Sequence, residues 1–293
     1  MGADNMLSGY PPAVLRLVGD VDPAAFPRES KSSCARCPMH PPPGGDPTGR
    51  RTFTWVRCCT YQPNVPNFLV GVALSRGDSG SEQVRARLEE VDGVYVRGLV
   101  GTWEKRRRYA AQGGERFGRD ATLRCPYWVE DDLSCGIYAS RISVCRTWHC
   151  RYEDGEYGRD AWKALRDLLA EIELRLSWYC ASAVRTPWPW SRPAVWEAYY
   201  LSCCQALERI GEQQLESMDR ALLGLRVALH TTLARRDRPL PERLCTWPHL
   251  VEPVVVGTWR IAGYSRWDPV EAPVAVGSAI SLIGAGESSL ADS

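Results

Sequence analysis

The sequence predicts a mainly α-helical fold: a cysteine-rich N-terminal half of irregular, metal-stapled loops packs on a three-helix segment, and short strands or an extended arm follow near the C-terminus. Three observations carry this reading. Eight of the 12 cysteines fall before residue 151. Apolar residues then recur in steps of three and four from Trp162 to Leu229, the signature of amphipathic helices. Proline and glycine crowd the stretches between, where the chain must turn.

Residues 1–33 read as a loosely structured lead-in, because Pro11, Pro12, Pro23 and Pro27 interrupt the apolar residues and leave room for one or two helical turns. Residues 34–155 are the cysteine-cluster region. Inside it, 38–51 is a proline- and glycine-rich surface loop with cysteines on both sides. Phe68 to Leu74 suits a short strand or the entry to a helix. Val84, Leu88 and Val91 then take helical spacing, with Ser81 placed to cap them. Residues 156–240 are the helical region. Its first helix carries Trp162, Leu165, Leu169, Ile172, Leu176 and Tyr179 on one stripe. After a proline-punctuated turn at 186–193, the second carries Val195, Tyr199, Cys203, Leu207 and Ile210, and the third Leu215, Met218, Leu222, Leu225 and Leu229. Pro239 and Pro241 end the helices, and 241–293 alternates valine runs with glycine and proline, as short strands or an extended arm would.

Composition narrows the function. With 293 residues and 44% of them hydrophobic, the chain can bury a sizeable core, which excludes disorder over most of its length. The 36 basic residues against 35 acidic give a net charge of +1 and no global field for nucleic acid or an anionic membrane. The N-terminus lacks the basic start and apolar run of a secretory signal, and no stretch reaches the roughly 18 apolar residues of a membrane helix. The expectation is a soluble, cytoplasmic protein. In a reducing compartment clustered cysteines serve as metal ligands or redox groups more often than as disulfides.

Only the first group of cysteines has ligand-like spacing. Cys34 and Cys37 form a C-x-x-C knuckle, whose two-residue gap turns both thiolates toward one ion. Cys58 and Cys59 follow as a pair, and Cys125, Cys135, Cys145 and Cys150 close the set. Eight thiols suit two four-coordinate sites, or one cluster with thiols to spare. Of the later four, Cys203 lies on a helical stripe and Cys180 adjoins one, so both read as core; Cys204 and Cys245 stay unassigned.

The pattern Cys125-Pro126, Asp131-Asp132, Cys135, Ile137-Tyr138, Arg141, Cys145-Arg146 and Cys150, with Cys34, Cys37, Cys58 and Cys59 before it, resembles the bacterial YkgJ-like cysteine-cluster family, whose members are described as zinc- or iron-chelating. The resemblance covers about residues 34–152 and implies a metal or iron-sulfur centre on those eight cysteines, with no reaction attached. This chain departs from the family in the 20 residues between Cys37 and Cys58, and in Ile142 where the family carries proline.

Thiolates satisfy zinc and iron-sulfur clusters alike. An all-cysteine set drawn from distant loops, without paired zinc knuckles, favours iron-sulfur over zinc. His149 and His40 lie beside proposed ligands and are alternatives to a thiol, though packing histidines are commoner. Arg141 and Arg146 bracket Cys145, either to offset thiolate charge or to pair with Glu130, Asp131 or Asp132. Trp103, the basic run from Lys105 to Arg108, and Tyr109 mix cations and aromatics as single-strand binders do, but a solvated helix face is the commoner origin and nucleic acid is not the expected partner. Trp188, Trp190 and Trp196 offer a docking surface for a protein, with packing as the default.

No catalytic residue is assigned, since no nucleotide-loop, nucleophile-elbow, zincin or radical-SAM spacing occurs. Two alternatives stand beside a simple metal-binding protein. One is an iron-sulfur-dependent modification enzyme, since flagellin lysine N-methylases look similar in their C-C pair and later C-x-I motif. The other is a zinc-stabilised interaction or assembly module.

Overall fold

Helices occupy most of the chain where the apolar periodicity places them. The computed structural model describes residues 6–27, 29, 59–111, 117–131, 133–149, 152–188 and 191–235. Among these, eight helices follow in chain order: α1 (Pro12–Val18), α2 (Asn67–Ser75), α3 (Ser79–Glu89), α4 (Trp103–Ala111), α5 (Ser143–Thr147), α6 (Gly155–Ala183), α7 (Pro193–Glu208) and α8 (Glu212–Leu233). Five two-residue strands complete the described structure. β1 (Val65–Pro66), β2 (Val94–Tyr95) and β3 (Gly98–Leu99) form an antiparallel sheet in the order β1-β3-β2, with Leu99 opposite both Val65 and Val94. β4 (Trp128–Val129) pairs with β5 (Ser134–Cys135) as a hairpin, Trp128 opposite Cys135. The loop at 38–51, Pro239, Pro241 and the expected arm at 241–293 lie outside the described residues.

The long helix α6 buries Trp162, Leu165, Leu168, Leu169, Ile172 and Leu176 on one face. At its end the stripe passes to Cys180, and Tyr179 is only half-buried, because a step of four from Leu176 reaches Cys180. Helix α7 starts at Pro193, where a missing N–H costs nothing. Its inner face is Trp196, Tyr199, Tyr200, Cys203, Ala206 and Leu207. The expected stripe is thus corrected at both ends: Val195 is exposed, and Ile210 lies beyond the helix. The three large aromatics bury more apolar surface than a stripe led by Val195 could, which sets the rotation of the helix. Helix α8 meets α6 along a narrow seam, with Leu215, Leu222 and Leu229 buried at seven-residue spacing and Met218 and Leu225 packed beside them.

Onto this three-helix layer packs the N-terminal half. The segment read as a loose lead-in is well anchored over residues 6–27. Met6, Tyr10, Val14, Leu17, Val18 and Phe26 are all buried, and α1 touches α6, α7 and α8. Its prolines begin elements instead of breaking them: Pro12 opens α1, and Pro23 opens a 3-10 turn (Pro23–Ala25) capped by Asp22.

The 68–74 stretch is helical, within α2, and nearly every residue of α2 is buried. It lies so close to α7 that a Cβ on Gly71 would stand 2.2 Å from the Tyr200 carbonyl oxygen, so glycine is needed there. Helix α3 is capped by Asp78, not by Ser81. The Asp78 carboxylate accepts the Ser81 N–H at 3.2 Å, and the Ser81 hydroxyl accepts the Asp78 N–H in return, a reciprocal capping box. Val91 is not part of the buried stripe: the helix has ended, the chain turns there with φ of 61°, and the side chain is exposed.

Candidate metal centre

Four of the eight expected ligands, Cys59, Cys125, Cys135 and Cys145, are described; Cys34, Cys37, Cys58 and Cys150 lie outside the described residues. The four come from distant parts of the chain and are brought to one region by backbone pairing. The Cys59 carbonyl accepts the Cys125 N–H at 2.6 Å. Cys125 leads into the β4–β5 hairpin, where its carbonyl accepts the Trp128 N–H at 3.1 Å and where β5 ends on Cys135. Cys145 is carried by α5. Burial pushes the Cys125 thiol well above the usual thiol range, and the neighbouring Cys135 and Cys145 sulfurs push it further. The three side chains are therefore within electrostatic reach of one another. Among the described residues no three His, Cys, Asp or Glu side chains close on a single point as metal ligands do.

The hairpin is fixed by tight backbone contact with α3. A Cβ on Gly80 would stand 2.4 Å from the Gly136 carbonyl oxygen, so the residue after Cys135 rests on the first turn of that helix. Several buried polar atoms in this region have no hydrogen-bond partner: Gln62 Oε1, Gln83 Oε1, Trp148 Nε1 and His149 Nε2. Gln62 ties the Cys59 and Cys125 strands together by donating to the Thr60 carbonyl at 3.3 Å and the Leu123 carbonyl at 2.5 Å. Gln83 lies against Gly136. Each orphaned group costs about 1–3 kcal/mol, and their concentration beside the cysteines marks a region where packing serves something other than stability. The donor chemistry there, thiol with a neutral imidazole nearby, suits zinc or an iron-sulfur cluster.

His149 stacks on Trp162, with ring centroids 4.5 Å apart, and touches Tyr152 at 5.9 Å. Burial lowers its pKa to about 4, so the imidazole is neutral at pH 7. His40 lies outside the described residues. The arginines beside Cys145 do not pair with the acidic turn. Arg141 donates to the Tyr138 and Cys145 carbonyls at 2.9 and 3.2 Å and lies over the Tyr138 ring, while Glu130 takes Arg124 and the Trp128 indole N–H instead.

Sequence reasoning passed over the group that holds Cys145 in place. Glu173, buried in α6, accepts from the Tyr10 hydroxyl, from the Ser143 N–H at 2.6 Å and from the Ser143 hydroxyl at 2.8 Å. Burial raises its pKa, while those donors and the Arg146 charge pull the other way. Arg146 is buried too. Its guanidinium lies 4.0 Å from the Tyr10 ring centroid and donates to the carbonyls of Met6, Ser8, Ala139 and Arg141. The legible signal was a charged residue, Glu173, set among the apolar positions of α6 between Leu169 and Leu176.

The remaining candidates separate cleanly. Cys180 and Cys203 are fully buried between α6 and α7, the Cys180 Sγ 3.4 Å from the Cys203 carbonyl oxygen, while Cys204 is half-buried. Cys245 lies outside the described residues. The basic run sits on α4, where Arg106 turns inward to the Gly101 carbonyl, Lys105 reaches the Arg124 carbonyl and Arg108 pairs with Glu104. Trp188 is exposed, Trp190 is outside the described residues, and Trp196 is corrected from a docking residue to a core one, packed on Tyr199 and Tyr200. Among the described residues no helix is long and apolar enough to cross a membrane. No family model, no curated protein and no solved structure matches the chain.

Proposed function

We propose that this is a metal-binding protein whose clustered cysteines Cys34, Cys37, Cys58, Cys59, Cys125, Cys135, Cys145 and Cys150 hold an iron-sulfur cluster or zinc in a reducing, cytoplasmic setting. The observation that carries the reading is the convergence of Cys125, Cys135 and Cys145 within electrostatic reach, with Cys59 bonded through its backbone to Cys125. Thiols from three separate loops are assembled beside orphaned polar atoms, in a half whose described strands are each two residues long. Short, irregular elements of this kind gain folding energy from a bound metal.

The test is metal analysis of anaerobically purified protein with its visible absorption spectrum. Broad thiolate-to-iron absorption with iron and acid-labile sulfide indicates a cluster; stoichiometric zinc in a colourless protein indicates a zinc site. Cys135→Ala and Cys145→Ala are expected to lower bound metal and solubility together, whereas Cys203→Ala leaves metal content unchanged. Equal metal content in all three variants would sink the proposal.

A further inference from the structure

We propose that Glu173 and Arg146 are positioning residues that hold the Cys145 sulfur toward Cys125 and Cys135, an inference that rests on the metal-centre reading above. Helix α5 has five residues and no side-chain cap of its own, too short to fix its own orientation. Glu173 supplies the missing restraint from α6: one carboxylate oxygen takes the Ser143 N–H and the other the Ser143 hydroxyl, two residues before Cys145. Arg146, the residue after Cys145, is gripped from the other side by the carbonyls of Met6, Ser8, Ala139 and Arg141. Tyr10 joins the two, donating its hydroxyl to Glu173 and offering its ring face to Arg146. With both neighbours clamped, the sulfur between them has little freedom to swing.

The clamp also has an electrostatic side. The Cys145 sulfur is within electrostatic reach of the Arg146 guanidinium, so a buried cation stands beside a group that must become a thiolate to bind metal. The Arg146 charge is matched by Glu173, which makes the pair neutral before metal enters. Neither residue is a ligand in this scheme. They act through Cys145, as outer partners of metal ligands do.

The experiment follows loss of metal from the purified holoprotein during challenge with excess EDTA, by metal analysis of the desalted protein at intervals. Glu173→Gln keeps the size of the side chain and removes its charge and one acceptor; it is expected to release metal about 10-fold faster than the unmodified protein. Leu229→Ala, buried in α8 away from α5, is the control for general loosening. It should lower the urea midpoint at least as far yet leave the release rate within about two-fold. If Glu173→Gln does not fold, Ser143→Ala, which removes only the hydroxyl bond, should still speed release by about two- to five-fold. Release from the Glu173 or Ser143 variant at the unmodified rate, or equal acceleration by Leu229→Ala, overturns the inference. A protein that carries no metal at all overturns the metal-centre reading and this inference with it, whereas stable metal with unchanged release overturns only this one.

Discussion

Cysteine occurs in both layers of the molecule and is treated differently in each. In the loop layer Cys59, Cys125, Cys135 and Cys145 are half-buried and sit on two-residue strands, turns and a five-residue helix. In the helical layer Cys180 and Cys203 are fully buried on the inner stripes of α6 and α7. A helix satisfies its own backbone and asks of a cysteine only that it fill space, so the thiol behaves as a small hydrophobe. A loop has no such self-sufficiency. Its backbone must be held by side chains such as Gln62 and Glu173 or by whatever its thiols bind.

The contrast can be broken at its seam. Trp162 is buried in α6, packs on Phe26 and His149 and donates its indole N–H to Glu29 at 2.8 Å, so it serves both layers. Trp162→Ala is expected to cost about 3–5 kcal/mol in urea unfolding, with both layers lost in one transition. Separate transitions would show that the layers are less dependent on each other than their shared core implies.

Removing metal should act on one layer only. Under reductant with EDTA, amide exchange is expected to quicken about 10-fold or more over 125–149, and to change little along α8. Equal loss of protection in both would erase the distinction between stapled loops and self-sufficient helices.

Asp78→Ala, which removes the cap of α3 beneath the hairpin, should cost about 1 kcal/mol and lower the melting temperature without changing bound metal. The smallest effect expected is one of pH. Burial raises the Glu29 pKa, against the opposing pull of its bonds from Glu153 and Trp162. A carboxyl whose folded pKa is raised binds more protons in the folded state, so its contribution to stability is present below the unfolded value and is lost as pH rises through the folded one. Glu29→Gln should flatten that decline in a series of urea titrations from mildly acidic to neutral pH.

Much of the helical layer was legible because a buried helix writes its contacts at fixed intervals. Trp162 to Leu176 and Leu215 to Leu229 are read straight off that period. The errors fall where a second force competes. At α7 three aromatics outweighed Val195, and at α3 the chain turned before Val91 could join the stripe. The N-terminal segment was misjudged because proline signals interruption and initiation with the same letter. In the loop layer the cysteine spacing marked which residues matter, but the partners that hold them were hidden. Nothing in the local sequence links Tyr10 to Glu173 or Gln62 to Leu123, since these are contacts between distant segments whose pairing depends on the finished fold.

The bond from Tyr10 to Glu173 spans 163 positions and that from Arg146 to Met6 spans 140. During synthesis from the N-terminus, Met6 and Tyr10 are made long before their partners, and α1 has no α6 to lie against until most of the chain exists. The first residues translated are therefore among the last to find their places. Closing so long a loop is slow compared with forming the helices themselves. Throughout that interval the thiols of the loop layer stand open to oxidants and to stray metal, so prompt occupation of the centre would protect the nascent chain as much as it completes the fold.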